Sequence, residues 1–381
     1  MTDIIKMFSG IGVIIDDEIN VTGSSIKKVV SSFDENHIPY LSYEELPSVE
    51  SLQNLHSVSF VLLDWKWKSE ASDEMLLKEN IAFIMELHKV CFVPVFIFTD
   101  EDPHSIISQI EDSNFLEVKK TNLIFAKHKS ELDTSEKLFS AIKEWIKNTP
   151  SVYVLKEWEN VTREAKTKML WDLIEIHPSW PKVLMKTIKS DGGDKHSELV
   201  KSLQNNLSYR INYPVFDDNI IYQQEIEITK EELRRLIECE RFIPQQSLSD
   251  HPNAGDIYLI NGEYMLNIRP DCDIIRSPKE KDMYLISGAV VDENLINSND
   301  KDAIIFDSGE FHEKINCSYA SFVQGNILCF TFRELKIKKW KDIKDYRIGR
   351  LLPPYITKIQ QKYASYLQRL GLPSIPEKAI K

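Results

Sequence analysis

The chain has 381 residues, more than one hydrophobic core usually organises, so two or three domains are expected. Hydrophobic residues make up 42% and charged residues 28%, an ordinary globular composition that excludes a disordered or fibrous chain. The net charge of −12 is uneven: residues 331–381 hold 13 Lys and Arg against 4 Asp and Glu, a surplus of +9 that leaves −21 on the remainder.

The first 148 residues alternate short apolar runs with amphipathic stretches. The runs are Ile11–Ile15, Val58–Leu63, Val93–Phe98 and Leu123–Ala126, with a weaker one near Ile38–Leu41. Unbroken β-branched and aromatic runs too short for helices suit strands buried on both faces of a parallel sheet. Between them, Ser24–Phe33, Leu76–Val90 and Ser135–Ile146 place apolar side chains three and four apart, as helices packed on a sheet require. This repeat predicts a doubly wound α/β domain over residues 1–148.

Residues 149–225 read as a helical connector, with Trp158, Trp171, Ile174 and Leu184 on apolar faces and breaks at His177-Pro178 and Gly192-Gly193. Residues 226–381 read as an α+β domain. Thr229-Lys-Glu-Glu232 is a capping-box signature opening a helix. Strands are expected at Gly255–Ile260, Tyr264–Ile268, Met283–Ile286, Ala303–Phe306 and Ile327–Phe332, with Asn261-Gly262 as a hairpin turn. They suggest a small antiparallel barrel or sandwich. The last predicted helix follows Pro353-Pro354, carries Ile356, Ile359, Tyr363, Tyr366, Leu367 and Leu370, and stops at Gly371 and Pro373. Its apolar face is expected to pack on the C-terminal domain.

The segment Met1–Ser9 lacks a signal-peptide pattern, and no apolar run approaches membrane-spanning length, so a cytoplasmic protein without membrane contact is expected. The five cysteines are scattered and never form a C-x-x-C pair, which argues for reduced thiols rather than disulfides or a zinc ribbon.

Chemistry gathers at the strand ends of the first domain. Asp16 and Asp17 follow the first strand, Asp64 the third, Thr99 the fourth and Lys127 the fifth. In open parallel sheets those ends converge on one crevice. Three carboxylates there can hold Mg²⁺, which takes a few carboxylates and waters in an octahedral shell. With the metal present Asp64 can stay ionised as a nucleophile toward phosphorus, while Lys127 stabilises the phosphoryl oxygens and Thr99 bonds the new group.

The Asp-Asp pair, the single Asp, the Thr and the Lys, each after its own apolar strand, resemble the receiver domain of two-component response regulators. The resemblance covers about 140 of the 381 residues. It implies a flavodoxin-like fold and phosphorylation by a histidine kinase. It further implies Asp16, Asp17, Asp64 and the main chain of Lys66 around Mg²⁺, with Asp64 as acceptor and Thr99 and Lys127 as switch residues. The sequence departs from the family after Asp64, where Trp65-Lys-Trp-Lys68 replaces a Met-Pro and a Gly. Asp100 follows Thr99 where a small residue is usual, His128 follows Lys127 where Pro is usual, and Ile124 occupies an often aromatic switch position.

Other signals have plain structural readings. His196 fits a helix surface, Asp271-Cys272-Asp273 a turn after a strand, and His312 and Cys317 lack zinc-site companions. Trp145, Trp158, Trp171 and Trp180 read as core. The basic stretch Arg333–Arg350 lacks a helix-turn-helix pattern and reads as a face docked on its own domain rather than a nucleic-acid surface. The expectation is a phosphorylatable signalling protein controlling an atypical C-terminal domain that does not bind DNA. Its partners would be a histidine kinase, a second copy, and a protein bound by the C-terminal domain. The alternatives are a phosphate sink in a bacterial antiviral two-component system, and a receiver gating an enzyme or a nucleic-acid-binding effector.

Overall fold

The computed structural model describes residues 10–54, 58–67, 71–112, 123–190, 192–223, 227–276, 281–291, 317–368 and 379. The chain forms two compact units, residues 1–178 with 204–225, and residues 179–203 with 226–381.

In the first unit the elements run β1 (Ile11–Ile15), α1 (Ser25–Glu35), β2 (Tyr40–Tyr43), α2 (Val49–Gln53), β3 (Val58–Leu63), α3 (Asp73–Val90), β4 (Val95–Thr99), α4 (Pro103–Asp112), β5 (Ile124–His128) and α5 (Ser135–Lys147). All five strands are parallel, in the order β2-β1-β3-β4-β5. The central strands β1, β3 and β4 are buried on both faces because they are almost wholly apolar, so alternate residues serve opposite cores, while the edge strands β2 and β5 are more exposed. Ile14, Phe60, Phe96 and Phe98 pack with Ile26, Val29 and Phe33 of α1 and with Leu138 and Ile142 of α5. Val13, Ile15, Val61, Leu63 and Ile97 pack with Leu76, Ile81 and Ile84 of α3 and with Ile106 and Ile110 of α4. Gly12 lets β1 lie close to that first core, since a β carbon there would sit 2.2 Å from Phe60 Cζ. The α/β expectation is met. The short α2, and α4 with only Ile106 and Ile110 buried, lie outside the helices that the periodicity predicts.

Among the described residues of 149–225 there are four helices: α6 (Pro150–Ile176), α7 (Trp180–Ser190), α8 (Lys195–Arg210) and α9 (Asp218–Ile221). The break at His177 is where expected, with extended backbone before Pro178. This stretch is divided between the two units. Trp145 is buried, but Trp158 and Trp171 are exposed, which corrects their assignment to a core. The buried residues of α6 are Val152, Lys156, Ala165 and Met169 among its 27, with Tyr153 partly buried against the first core.

The second unit continues with α10 (Lys230–Arg241), β6 (Phe242–Pro244), β7 (Asp256–Ile260), β8 (Glu263–Asn267), α11 (Asp271–Arg276), β9 (Asp282–Val290), β10 (Cys317–Val323), β11 (Asn326–Lys339), α12 (Trp340–Ile343), β12 (Arg347–Leu351) and α13 (Tyr355–Leu367). Thr229 and Glu232 form the expected capping box, and Asn261 and Gly262, both at positive φ, turn the β7–β8 hairpin. Among the described residues the strands make one antiparallel sheet, ordered β10-β11-β9-β8-β7-β12-β6, rather than a barrel or a two-sheet sandwich. Helices supply the facing layers. Ile356 and Ile359 of α13 cover Ile257, Leu266, Ile286 and Phe330, while Ile274 of α11 and Ile343 of α12 pack with Tyr258, Met265, Met283 and Leu285. The expected strand Ala303–Phe306, His312, and the stop signals Gly371 and Pro373 lie outside the described residues.

Candidate functional site

The site is built from the C-terminal ends of β1, β3, β4 and β5. Asp16 is the first residue past β1, and its N–H donates to the Tyr43 carbonyl at 3.0 Å; Asp64 is the first past β3, and its N–H donates to the Ile15 carbonyl at 2.8 Å. These ladder-end bonds put the carboxylates of neighbouring strands side by side. Asp16, Asp17 and Asp64 each offer an oxygen within 4.8 Å of the others, a spacing compatible with one shared cation. Asp16 and Asp64 are buried and Asp17 is half-buried. Asp16, Asp17 and Asp64 are thus brought together, and one of the other residues expected in the crevice is substituted.

That substitution concerns the lysine. Lys127 lies within β5, in register with Phe98, and its ammonium pairs with Glu131 at 3.2 Å on the surface. The expectation that it enters the pocket is corrected by Lys129, whose Nζ donates to Asp16 Oδ2 at 2.7 Å and to Asp64 Oδ2 at 2.9 Å. β5 runs to His128, two residues beyond the apolar run, so the side chain leaving the strand end is Lys129, in a 3-10 turn from Lys129 to Leu132. The signal available in the sequence was the second lysine of Lys127-His-Lys129.

Burial pushes the Asp64 carboxyl up to about 6, the neighbouring Asp16 adding to this and Lys129 opposing it. Burial disfavours the Lys129 ammonium, but Asp64 and Asp16 together hold its pKa above the usual lysine range. The result is one buried cation spanning two buried anions. Asp16 Oδ1 also accepts from the Glu18 N–H at 2.9 Å, and Asp64 Oδ1 from the Lys66 N–H at 3.3 Å.

Thr99 ends β4 fully buried, and its Oγ1 accepts from the Glu101 N–H at 3.2 Å. Lys66 turns its side chain outward, to Glu101 at 3.3 Å and Asp73 at 3.7 Å. Hydrogen bonding and attraction from Glu101 lead the groups that raise its pKa. The loop after Asp64 is fixed by a residue that sequence reasoning missed. Asn80, buried in α3, accepts from the Trp67 indole at 2.9 Å and donates to the Trp65 carbonyl at 2.8 Å. A lone amide beside Ile81 on the buried face of an amphipathic helix was its only sequence trace.

His196 is exposed in the first turn of α8, where Asp194 Oδ1 accepts its N–H at 3.2 Å. Asp271 opens α11, pairing with Lys201 at 3.2 Å and accepting the Ala254 N–H at 2.7 Å. In the basic stretch, Arg347 and Arg350 both point to buried Asp256, at 3.4 and 2.6 Å. No helix among the described residues is long and apolar enough to cross a membrane.

No family model and no curated protein matches the chain. Among solved structures, a fusion carrying amino acids 181–211 of the yeast Spc42 trimeric coiled coil aligns over 43% of this chain and 96% of that one, at 10% identity and a TM-score of 0.28. A likeness that low carries no argument about fold or activity.

Proposed function

We propose that the first unit is a receiver in which Asp64 accepts a phosphoryl group from a histidine kinase, and that its phosphorylation controls the C-terminal unit. The observation that carries this reading is the Lys129 ammonium shared between Asp16 and Asp64 at the C-terminal edge of a five-stranded parallel sheet, with Thr99 on the adjoining strand. In the reaction an Asp64 oxygen bonds to phosphorus as the bond from phosphorus to the donor imidazole nitrogen breaks. The imidazole keeps the electron pair and is protonated from solvent. Asp16, Asp17, Asp64 and the main-chain carbonyl of Lys66 would hold Mg²⁺; the acidic donor set and its spacing fit that ion. When bound, the metal would neutralise charge on the phosphoryl oxygens. Lys129 fixes the Asp64 carboxylate and stands ready to bond a phosphoryl oxygen, and the Thr99 hydroxyl, at the end of the adjoining strand, would turn toward the new group.

The C-terminal unit we read as a protein-interaction or output domain rather than a DNA reader. Arg347 and Arg350 are committed to Asp256, which removes them from any phosphate-binding surface. The test of the acceptor is direct. Incubation with acetyl phosphate and Mg²⁺ should add one acid-stable, base-labile phosphoryl group, and Asp64→Asn should abolish it. Equal labelling of parent and variant would sink the assignment.

A further inference from the structure

Lys66 lies two residues past Asp64 and its side chain bridges two loops. Its ammonium meets Glu101, after β4, and Asp73, in the first turn of α3, over a cavity of about 120 Å³ also lined by Trp65, Asp102 and Ser105. All three charged groups are substantially exposed, at 40% for Lys66, 92% for Asp73 and 52% for Glu101. Exposed pairs are weak and exchange readily. The Lys129 pair differs, since its three side chains are at most 9% exposed.

We infer that the Lys66 ammonium is an exchangeable latch, held by Glu101 and Asp73 in the resting protein and drawn to the phosphoryl group once Asp64 carries one. The inference rests on Asp64 being the acceptor. Phosphorylation replaces one negative charge at Asp64 with nearly two. Lys129 is shared with Asp16, and a bound Mg²⁺ would neutralise only part of the phosphoryl charge, so the added charge also attracts the Lys66 ammonium. The Lys66 N–H lies 3.3 Å from Asp64 Oδ1, so the base of its four-carbon side chain is already at the acceptor. Loss of Lys66 leaves Glu101 and Asp73 without their cation, while the new charge at Asp64 repels both. Glu101 moves most, because its N–H leans on Thr99 Oγ1, the hydroxyl that turns to the phosphoryl group. The shift reaches α4 directly: Asp102 caps that helix by accepting the N–H groups of His104 at 3.3 Å and Ser105 at 3.1 Å. Phosphorylation thereby loosens residues 100–106.

Hydrogen exchange on the full chain, with and without acetyl phosphate and Mg²⁺, tests this, with the label on Asp64 measured in the same samples. In the parent, exchange at residues 100–106 should rise about two- to fivefold on phosphorylation, the change that losing an exposed pair produces. The Glu101→Gln, Asp73→Asn double variant should label like the parent yet show the faster exchange beforehand, with little further rise. Lys66→Gln should likewise exchange faster before any phosphodonor is added. A parent that labels without a rise, or a double variant that behaves as the parent does, overturns the latch while leaving Asp64 as acceptor. Absence of label on Asp64 in the parent removes the acceptor reading and the latch with it.

Discussion

At the scale of single residues, Lys129 and Lys127 make opposite predictions although they are two positions apart. Lys129→Met leaves Asp16 and Asp64 buried side by side with no cation, a change that typically costs about 3–5 kcal/mol. Lys127→Met removes an exposed pair with Glu131, worth about 0–1 kcal/mol. Thermal melting should therefore separate the two variants widely, and phosphorylation by acetyl phosphate should fail or slow in the first alone. Equal melting temperatures would return the pocket role to Lys127. Asp64 adds a pH dependence. Burial raises its pKa in the fold to about 6, above the value near 3.8 of an ordinary Asp, so the folded state takes up a proton more readily than the unfolded one. That contribution to stability is complete below about pH 4 and is lost as pH rises through about 6, a difference on the order of 2–3 kcal/mol. Subtracting the Asp64→Asn melting curve from the parent curve should leave a decline between about pH 4 and 6. Mg²⁺ should reduce that decline, because a cation favours the ionised carboxylate. A flat difference curve would contradict the burial argument.

Between elements, the bonds from Asn80 tie α3 to the loop that carries Lys66. Asn80→Ala would orphan a buried indole N–H and a buried carbonyl, which costs about 1–3 kcal/mol each. The expected result is a lower melting temperature and slower labelling of Asp64, since the Lys66 main chain would no longer be held beside the acceptor. A variant with parental stability and labelling rate would show that the two tryptophans fix the loop by packing alone. This interaction was hard to read in advance: periodicity marks Ile81 and Ile84 as core, but an amide beside Ile81 is indistinguishable from a surface residue until the loop is placed. The capping box at Thr229 and the turn at Asn261-Gly262, in contrast, were legible because each depends on residues a few positions apart.

For the whole molecule, α13 decides how the C-terminal unit is closed. Ile356 and Ile359 are buried against the sheet, and the rings of Tyr363 and Tyr366 lie 5.8 Å from that of Phe332. Leu367, expected on the same face, is exposed. Deleting residues 355–381 should remove about 1.5–3 kcal/mol for each of the two isoleucines, lowering the transition of the C-terminal unit and leaving that of the first unit in place. If melting were unchanged and the full chain bound duplex DNA in a strongly salt-dependent way, the basic end would be a nucleic-acid arm instead.

The sequence by itself determined the features whose physics is local. Five apolar runs became five parallel strands, Asp16, Asp17, Asp64 and Thr99 fell at strand ends, and the caps and hairpin turn stood where their residues were. Tertiary structure alone decided what depends on partners distant in the chain. It chose Lys129 over Lys127, because only a strand of definite length sets which side chain leaves its end toward carboxylates 65 and 113 positions away. It also placed Lys66 between Asp73 and Glu101, since an ion pair across loops follows from how strands are ordered in the sheet. Among the described residues it made one antiparallel sheet covered by helices from strands that a barrel would equally have accommodated, because strand alternation specifies which residues are buried but not what buries them.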